Sequence, residues 1–301
     1  MYHRVCPLDA NSACYFARGT AVQPATFAAH IDHMRRRLRA VSLGEALTGA
    51  EDGPTFALTF DDGYRDVLDF VEPICQARKL AIALFPVARN SGRSRSALWF
   101  DRYYELLHRA RRRHGLAPGS LGLVTEESVP SIDGDLLWWV RGPLKQRLAA
   151  LDAAGFDAAL DGLRSALMSS SDDELAAHLY LSDDELRWLC REGALVGGHG
   201  AAHRRLDRMS ADAALSEMRQ SAALLDAIGT TGPRVFCYPD GGVPADAADM
   251  LSATGFEFGL TVAAGTWHRR GDRARVPRFL VRESTTATEL DGFADSVVSM
   301  D

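Results

Sequence analysis

Thr55-Phe56-Ala57-Leu58-Thr59-Phe60-Asp61-Asp62-Gly63 is the stretch on which the fold turns. Thr55–Phe60 is a short apolar, β-rich run that stops at two adjacent carboxylates and a glycine. Tyr64 to Lys79 follows with helical spacing, with Val67, Leu68, Val71, Ile74 and Cys75 on one face. Ala81–Val87 is a second, nearly continuous apolar run. Strand, helix, strand in this order predicts parallel strands buried on both faces. A strand ending in Asp61-Asp62-Gly63 brings two acidic groups to one sheet edge. They are costly there unless solvated, paired or bound to a cation, although an Asp at such a place also serves as an ordinary helix N-cap.

The pattern resumes after residue 180. Ser182-Asp183-Asp184-Glu185 is a capping box, with Leu181 and Leu186 placed to staple it, and its helix stops near Gly193. Ala194–Gly198 reads as a short strand that ends at His199. A helix from about Ala211 carries the stripe Leu215, Met218, Ala222, Leu225 and Ile228 and stops at Gly229. Arg234–Tyr238 is a further strand, followed by a helix around Ala245–Thr254 and a strand near Phe256–Val262. Repeated βα units predict an open doubly wound sheet or a barrel. Residues 98–180 break this rhythm with helix-like runs at Tyr103–Arg113, Leu144–Leu151 and Phe156–Leu167 and a Gly/Pro/Ser stretch at Leu116–Gly122. They read as a mainly helical insertion (98–180) between 1–97 and 181–301, and Ser284–Asp301 as a final helix.

His199-Gly200-Ala201-Ala202-His203 places two imidazoles four apart with small residues between, so both can converge on one metal. A lone pair at this spacing is often two ordinary surface histidines. Here both the carboxylates and the imidazoles fall at the C-terminal ends of predicted parallel strands, where α/β folds build their sites. A third segment, Arg234 to Gly242, ends an apolar strand in Tyr238-Pro239-Asp240 and a glycine turn able to offer a backbone N–H to an oxyanion.

Thr59–Gly63 (TFDDG), His199–His203 and the Tyr238-Pro239 turn, in this order, resemble the polysaccharide deacetylases that share the NodB homology domain, a carbohydrate esterase family 4-like group. The resemblance covers about 55–100 and 180–280. It implies a distorted (β/α)7 barrel that uses one divalent metal to hydrolyse N- or O-acetyl groups on sugars. Asp61 then corresponds to the catalytic base, and Asp62, His199 and His203 to the metal ligands. The start, Tyr2-His3-Arg4-Val5, is similar to a permuted branch in which the early His acts as general acid. His3 therefore reads as that acid or as a strand-end core histidine; the stretch from Gly271 to Asp301 contains no His. Departures fall in the third motif. Cys237 stands where many members carry the Arg that orients the catalytic Asp, Asp240 replaces the usual Tyr, and no Asp-x-x-Asp-Trp motif is present. Arg278 reads either as the replacement cation or as one half of a surface ion pair. Tyr238, Pro239, Asp240, Arg278 and Trp99 are the expected substrate or oxyanion contacts; Trp138 and Trp139 read more readily as core. Arg109–Arg113 reads as a solvated helix face, or as a contact for the phosphate of an activated sugar. Zn²⁺ is the default ion for such a mixed nitrogen and oxygen set.

Composition narrows the class further. The chain has 301 residues, 47% hydrophobic and 25% charged, which excludes disordered, collagen-like and coiled-coil chains. A net charge of −6 argues against a nucleic-acid partner. Among the 34 basic residues only Lys79 and Lys145 are lysine. No apolar run approaches the roughly 20 residues of a membrane span. Met1-Tyr2-His3-Arg4-Val5 has no basic-then-apolar leader, and five scattered cysteines without a CxxC read as free thiols, so a cytoplasmic location is expected. The expectation is a hydrolase that removes an acetyl or formyl group from an amino sugar, either small or nucleotide- or lipid-linked. An O-acetyl esterase and a non-catalytic sugar-binding member are the alternatives.

Overall fold

A computed structural model describes residues 1–9, 11–49, 53–91, 95–112, 134–151, 155, 158–159 and 172–298. Its short strands are β1 (Arg4–Val5), β2 (Ala21–Val22), β3 (Arg39–Ala40), β4 (Thr55–Phe56), β5 (Leu58–Asp62), β6 (Ile82–Pro86), β7 (Leu195–Val196), β8 (Val235–Cys237) and β9 (Phe258–Leu260). Every pairing between them is parallel: β1 with β2, β3 with β4, β5 with β6 and β6 with β7, β8 with β9. All five residues of both β5 and β6 are buried, as parallel strands covered on both faces require.

Single bridges join these groups. Tyr2 pairs with Phe60, Gly198 with Phe236, and Leu260 with Val276. One more link ties the last segment to the first: the Val281 N–H donates to the Met1 carbonyl at 3.0 Å. The links thus run from Met1–Val5 through β5, β6, β7, β8 and β9 to 276–281 and back to Met1. The result is a mixed α/β fold with parallel strands.

Several local expectations change in detail. The run Thr55–Phe60 splits at Ala57, and both carboxylates belong to β5 itself. The helix expected over Tyr64–Lys79 opens as a wide π-turn at Val67–Val71 and becomes α-helical only at Glu72–Gln76. Pro73 accounts for this, since it has no N–H to continue a regular ladder. The capping box at Ser182 forms as read: its Oγ accepts from the Glu185 N–H at 3.2 Å, while Glu185 accepts from the Ser182 N–H at 2.8 Å. Leu181 and Leu186, the staple, are fully buried.

Between 98 and 180 the described residues are helical, at Trp99–Arg112, Leu136–Arg141, Pro143–Ala150 and Asp172–Leu179. The Gly/Pro/Ser stretch Leu116–Gly122 and nearly all of Phe156–Leu167 lie outside the described residues. Tyr103, Leu107, Trp139 and Leu144 pack there with Tyr15 and Tyr64 into an apolar cluster of their own. That cluster is pinned by Asp101, whose carboxylate accepts hydroxyl hydrogen bonds from Tyr15, Tyr64 and Tyr180. The final helix is Ala287–Val298. All five cysteines are free thiols.

Candidate active site

The end of β5 is set by backbone geometry. Asp62 and Gly63 both take positive φ, 70° and 75°. A side chain at Gly63 would stand 2.7 Å from Pro86 Cβ, so the turn closes tightly over β6. Asp61 is buried and faces Arg278. The guanidinium donates to both carboxylate oxygens, at 2.8 and 2.9 Å, to the Thr59 hydroxyl at 3.2 Å and to the Thr261 carbonyl at 3.0 Å. Burial works against a charge on Asp61, but Arg278 prevails and holds its carboxyl below the usual range. Arg278 itself is only 7% exposed, which removes the surface-ion-pair reading. Cys237 leaves room for it: the thiol lies 2.9 Å from Arg278 Nη2 and 3.5 Å from Asp61 Oδ2. Arg234, the other nearby cation, pairs with Asp226 at the surface.

Asp62, His199 and His203 form the second half of the site. Asp62 Oδ1 stands 3.4 Å from His199 Nε2 and 3.3 Å from His203 Nε2. His199 Nδ1 lies 2.7 Å from the Cys237 carbonyl oxygen, which can only accept, so Nδ1 carries the proton and Nε2 presents its lone pair. Two imidazole nitrogens and a carboxylate oxygen thus converge, and Asp62 Oδ1, though buried, meets no hydrogen-bond donor among the described residues. Separations of 3.3 and 3.4 Å are those between corners of a tetrahedron with bonds of about 2.0–2.1 Å. The donor set therefore fits a small divalent ion. Burial opposes charge on all three side chains. Asp62 is nevertheless held well below the usual carboxylate range by the two imidazoles, and both imidazoles above theirs by the groups they face.

The loop carrying the histidines is held by two residues that the sequence reading passed over. Glu217 Oε2 accepts from the N–H groups of Ala201 and Ala202, each at 2.8 Å, and the Ser221 hydroxyl accepts from the His199 N–H at 3.1 Å. Both sit on the buried face of the helix Ala211–Ile228, within the apolar stripe. Two polar residues four apart on a face that must be buried were the available signal. Gly198 is required beside them, since a Cβ there would stand 2.6 Å from Ser221 Oγ.

The remaining expected residues divide. His3 lies close enough to Asp61, Asp62, His199 and Arg278 to feel their charges, and its buried Nδ1 has no partner among the described residues. Burial pushes its imidazole below the usual histidine value. The Tyr238 N–H does not face the site, because it donates to the Leu260 carbonyl at 3.0 Å within the β8–β9 pairing. That corrects the oxyanion role expected of it. Pro239 is buried and packs against the Gly200 turn, while Asp240 is exposed in left-handed backbone, φ 49°. Trp99 opens the helix Trp99–Arg112, and the next residue, Phe100, sets its ring edge-on to His203 at 5.5 Å. Trp139 is core and Trp138 packs against it. Arg109 pairs with Glu105 at 2.5 Å on its own helix.

A family model described as polysaccharide deacetylase matches residues 148–259, which include His199, His203 and the Tyr238-Pro239 turn. Solved structures with the same fold accompany it. The Streptococcus pyogenes deacetylase PplD aligns over 98% of this chain and 96% of its own, with a TM-score of 0.62 and 12% identity. A de-N-acetylase from Aggregatibacter actinomycetemcomitans aligns over 97% of both chains, with a TM-score of 0.59 and 15% identity. The chain shares its fold with these solved deacetylases, and its residues 148–259 are similar to the polysaccharide deacetylase family. A third solved structure, that of IcaB from Ammonifex degensii, aligns over 97% of this chain and 94% of its own, with a TM-score of 0.57 and 18% identity. No curated protein matches the chain. The Asp62, His199, His203 group is the candidate metal centre. Among the described residues no helix is long and apolar enough to cross a membrane.

Proposed function

We propose that this chain is a polysaccharide deacetylase that hydrolyses an N-acyl group, acetyl or formyl, from an amino sugar, with Asp61 as base and a divalent ion, Zn²⁺ by default, held by Asp62, His199 and His203. The circuit of parallel segments is then a distorted (β/α)7 barrel, with 98–180 as a mainly helical insertion into it. The observation that carries the reading is the contrast between two adjacent carboxylates. Asp61 is committed to Arg278, and Asp62 to two imidazoles.

A divalent ion in the set would supply Lewis acidity toward the acyl oxygen and acidify the attacking water. Asp61 stays ionised beside Arg278 and accepts the proton of that water. Arg278 fixes the carboxylate plane, so the accepting oxygen does not wander. The Tyr238 N–H being occupied, any backbone donor to the oxyanion comes from beyond Pro239. His3 gives the proton that lets the amine leave. The indole of Trp99 offers a face to the sugar ring. The de-N-acetylase among the structural neighbours supports the amide reading. A small intracellular substrate, such as a nucleotide- or lipid-linked sugar, completes the proposal.

One observation favours O-deacetylation as a second reading. Burial lowers His3, and an alcohol leaves with less help from an acid than an amine does. His3→Ala, assayed on matched amide and ester substrates, separates the two: a loss confined to the amide supports N-deacylation. The principal test incubates metal-reconstituted protein with N-formyl and N-acetyl amino sugars in free, nucleotide-linked and oligomeric forms, read by mass. Loss of one acyl mass, absent in Asp61→Asn, supports the reading. No mass loss on any amide or ester by metal-loaded protein overturns it.

A further inference from the structure

Lys145 is one of two lysines in the chain, and it is held in an unusual place. Its ammonium lies 5.6 Å from the ring centre of Trp99, 6.0 Å from that of Phe100 and 5.2 Å from that of Tyr104. It donates to the Tyr104 hydroxyl at 2.8 Å, and no carboxylate pairs with it among the described residues. Phe100 bridges it to the metal centre, since the same ring lies edge-on to His203. Other cations stand nearby. Arg141 donates to the Arg18 carbonyl at 2.5 Å, and both guanidinium groups bear on Lys145 electrostatically. Burial chiefly lowers its ammonium to about 7, with Arg18 adding to the effect, Asp240 and Asp101 opposing it and Arg141 contributing least.

A partly buried ammonium with no carboxylate in hydrogen-bond reach among the described residues is stabilised by an incoming anion. The aromatic shelf supplies attraction to the ammonium but no negative charge. An ammonium has three donors, and Tyr104 takes one. We propose that Lys145 recognises an anionic oxygen group, a phosphate or a carboxylate, carried by the acylated sugar one Phe100 ring away from the metal centre. The inference rests on the hydrolase reading, since it names the class of substrate that site prefers. Lys145 is a specificity residue here; it touches the anionic arm and not the reacting acyl group.

Titration calorimetry of the metal-loaded full chain tests it. The probes are N-acetylglucosamine 6-phosphate, a 2-acetamido hexuronic acid and uncharged N-acetylglucosamine. The wild type is expected to bind at least one charged probe about ten-fold or more tighter than the neutral one. Lys145→Met, which keeps the stem against the rings, is expected to erase that preference and leave the neutral probe unchanged. Lys145→Arg is expected to retain it. Whichever charged probe binds tighter names the group, phosphate or carboxylate. Equal binding of all three probes by the wild type overturns the proposal, as does a Lys145→Met variant that weakens neutral and charged probes alike. These readings need no turnover. A protein that binds the charged probe and releases no acyl group overturns the hydrolase reading while leaving the subsite standing.

Discussion

Arg278 reaches back 217 residues to hold Asp61 by both carboxylate oxygens, with Cys237 making the space. A planar fork on a carboxylate fixes orientation as well as charge, and a point-charge ammonium does only the second. Arg278→Lys is therefore expected to fold but to lose about ten-fold or more in kcat. Arg278→Gln leaves a buried carboxylate unpaired and is expected to cost about 3–5 kcal/mol of stability. The sign of the pH effect follows from the direction at Asp61. Its lowered value contributes stability that is present above the unfolded carboxylate range and lost as pH falls through the folded value. Without that positive charge, burial moves the value up, so the acid limb of kcat/KM should shift toward neutral pH in Arg278→Gln and stay near the wild type in Arg278→Lys. Stopped assays across pH, beside urea melts, would show it; an unmoved acid limb in Arg278→Gln would contradict the assignment.

Metal content and turnover should separate at the two aspartates. Asp61→Asn is expected to hold its metal by elemental analysis while kcat drops about 10²–10⁴-fold. His203→Ala is expected to lose both. Chelation should abolish activity and added Zn²⁺ restore it. Should Asp61→Asn lose its metal as readily as His203→Ala, the division of labour between Asp61 and Asp62 would be wrong.

Glu217 acts through the loop it holds. Truncating it strips the acceptor from two buried N–H groups, so Glu217→Ala should weaken metal binding about 10–100-fold. Glu217→Gln keeps one carbonyl oxygen able to accept from both, and should recover most of the loss. Competition with a chromogenic chelator would read both.

Asp101 should make stability depend on pH in the opposite sense to Asp61. Burial, chiefly, pushes its carboxyl up to about 6, with hydroxyls from Tyr15 and Tyr180 and the charge of Arg4 opposing and Asp62 adding. The folded state then holds this proton more tightly than the unfolded chain does. Its stabilising effect is complete below the unfolded carboxylate value and fades as pH rises through about 6. Asp101→Asn should flatten that slope in melts taken from pH 5 to 8. It should also cost about 1–3 kcal/mol, because an amide cannot accept from three tyrosine hydroxyls as a carboxylate does. A slope unchanged in the variant would sink the argument.

Much of the site was legible because its chemistry is local. Asp61-Asp62-Gly63 and His199–His203 each sit in one run of sequence, at the end of a strand whose apolar pattern marks it. Arg278 was only half legible, since nothing local distinguishes a buried arginine from an exposed one; partner and burial are tertiary facts. Glu217 and Ser221 were passed over because an apolar stripe was read for its hydrophobic members, and the polar residues within it carry the information. Tyr238 shows the converse. Its place beside the motif suggested a free N–H, and the β8–β9 pairing took it. The π-turn at Val67–Val71 was hidden because helical spacing does not distinguish a regular turn from a wide one.

The order in which the pieces leave the ribosome follows from where they lie. Asp62, His199 and His203 have all been made before Arg278 is added, and the segment carrying Arg278 also joins Met1 to the rest. Ion capture by the growing polypeptide can therefore precede the arrival of the group that aims Asp61. Contacts of such long separation form late. In refolding from denaturant, helical signal and bound metal should return first, and enzymatic competence only when the chain's last segment closes beside its first.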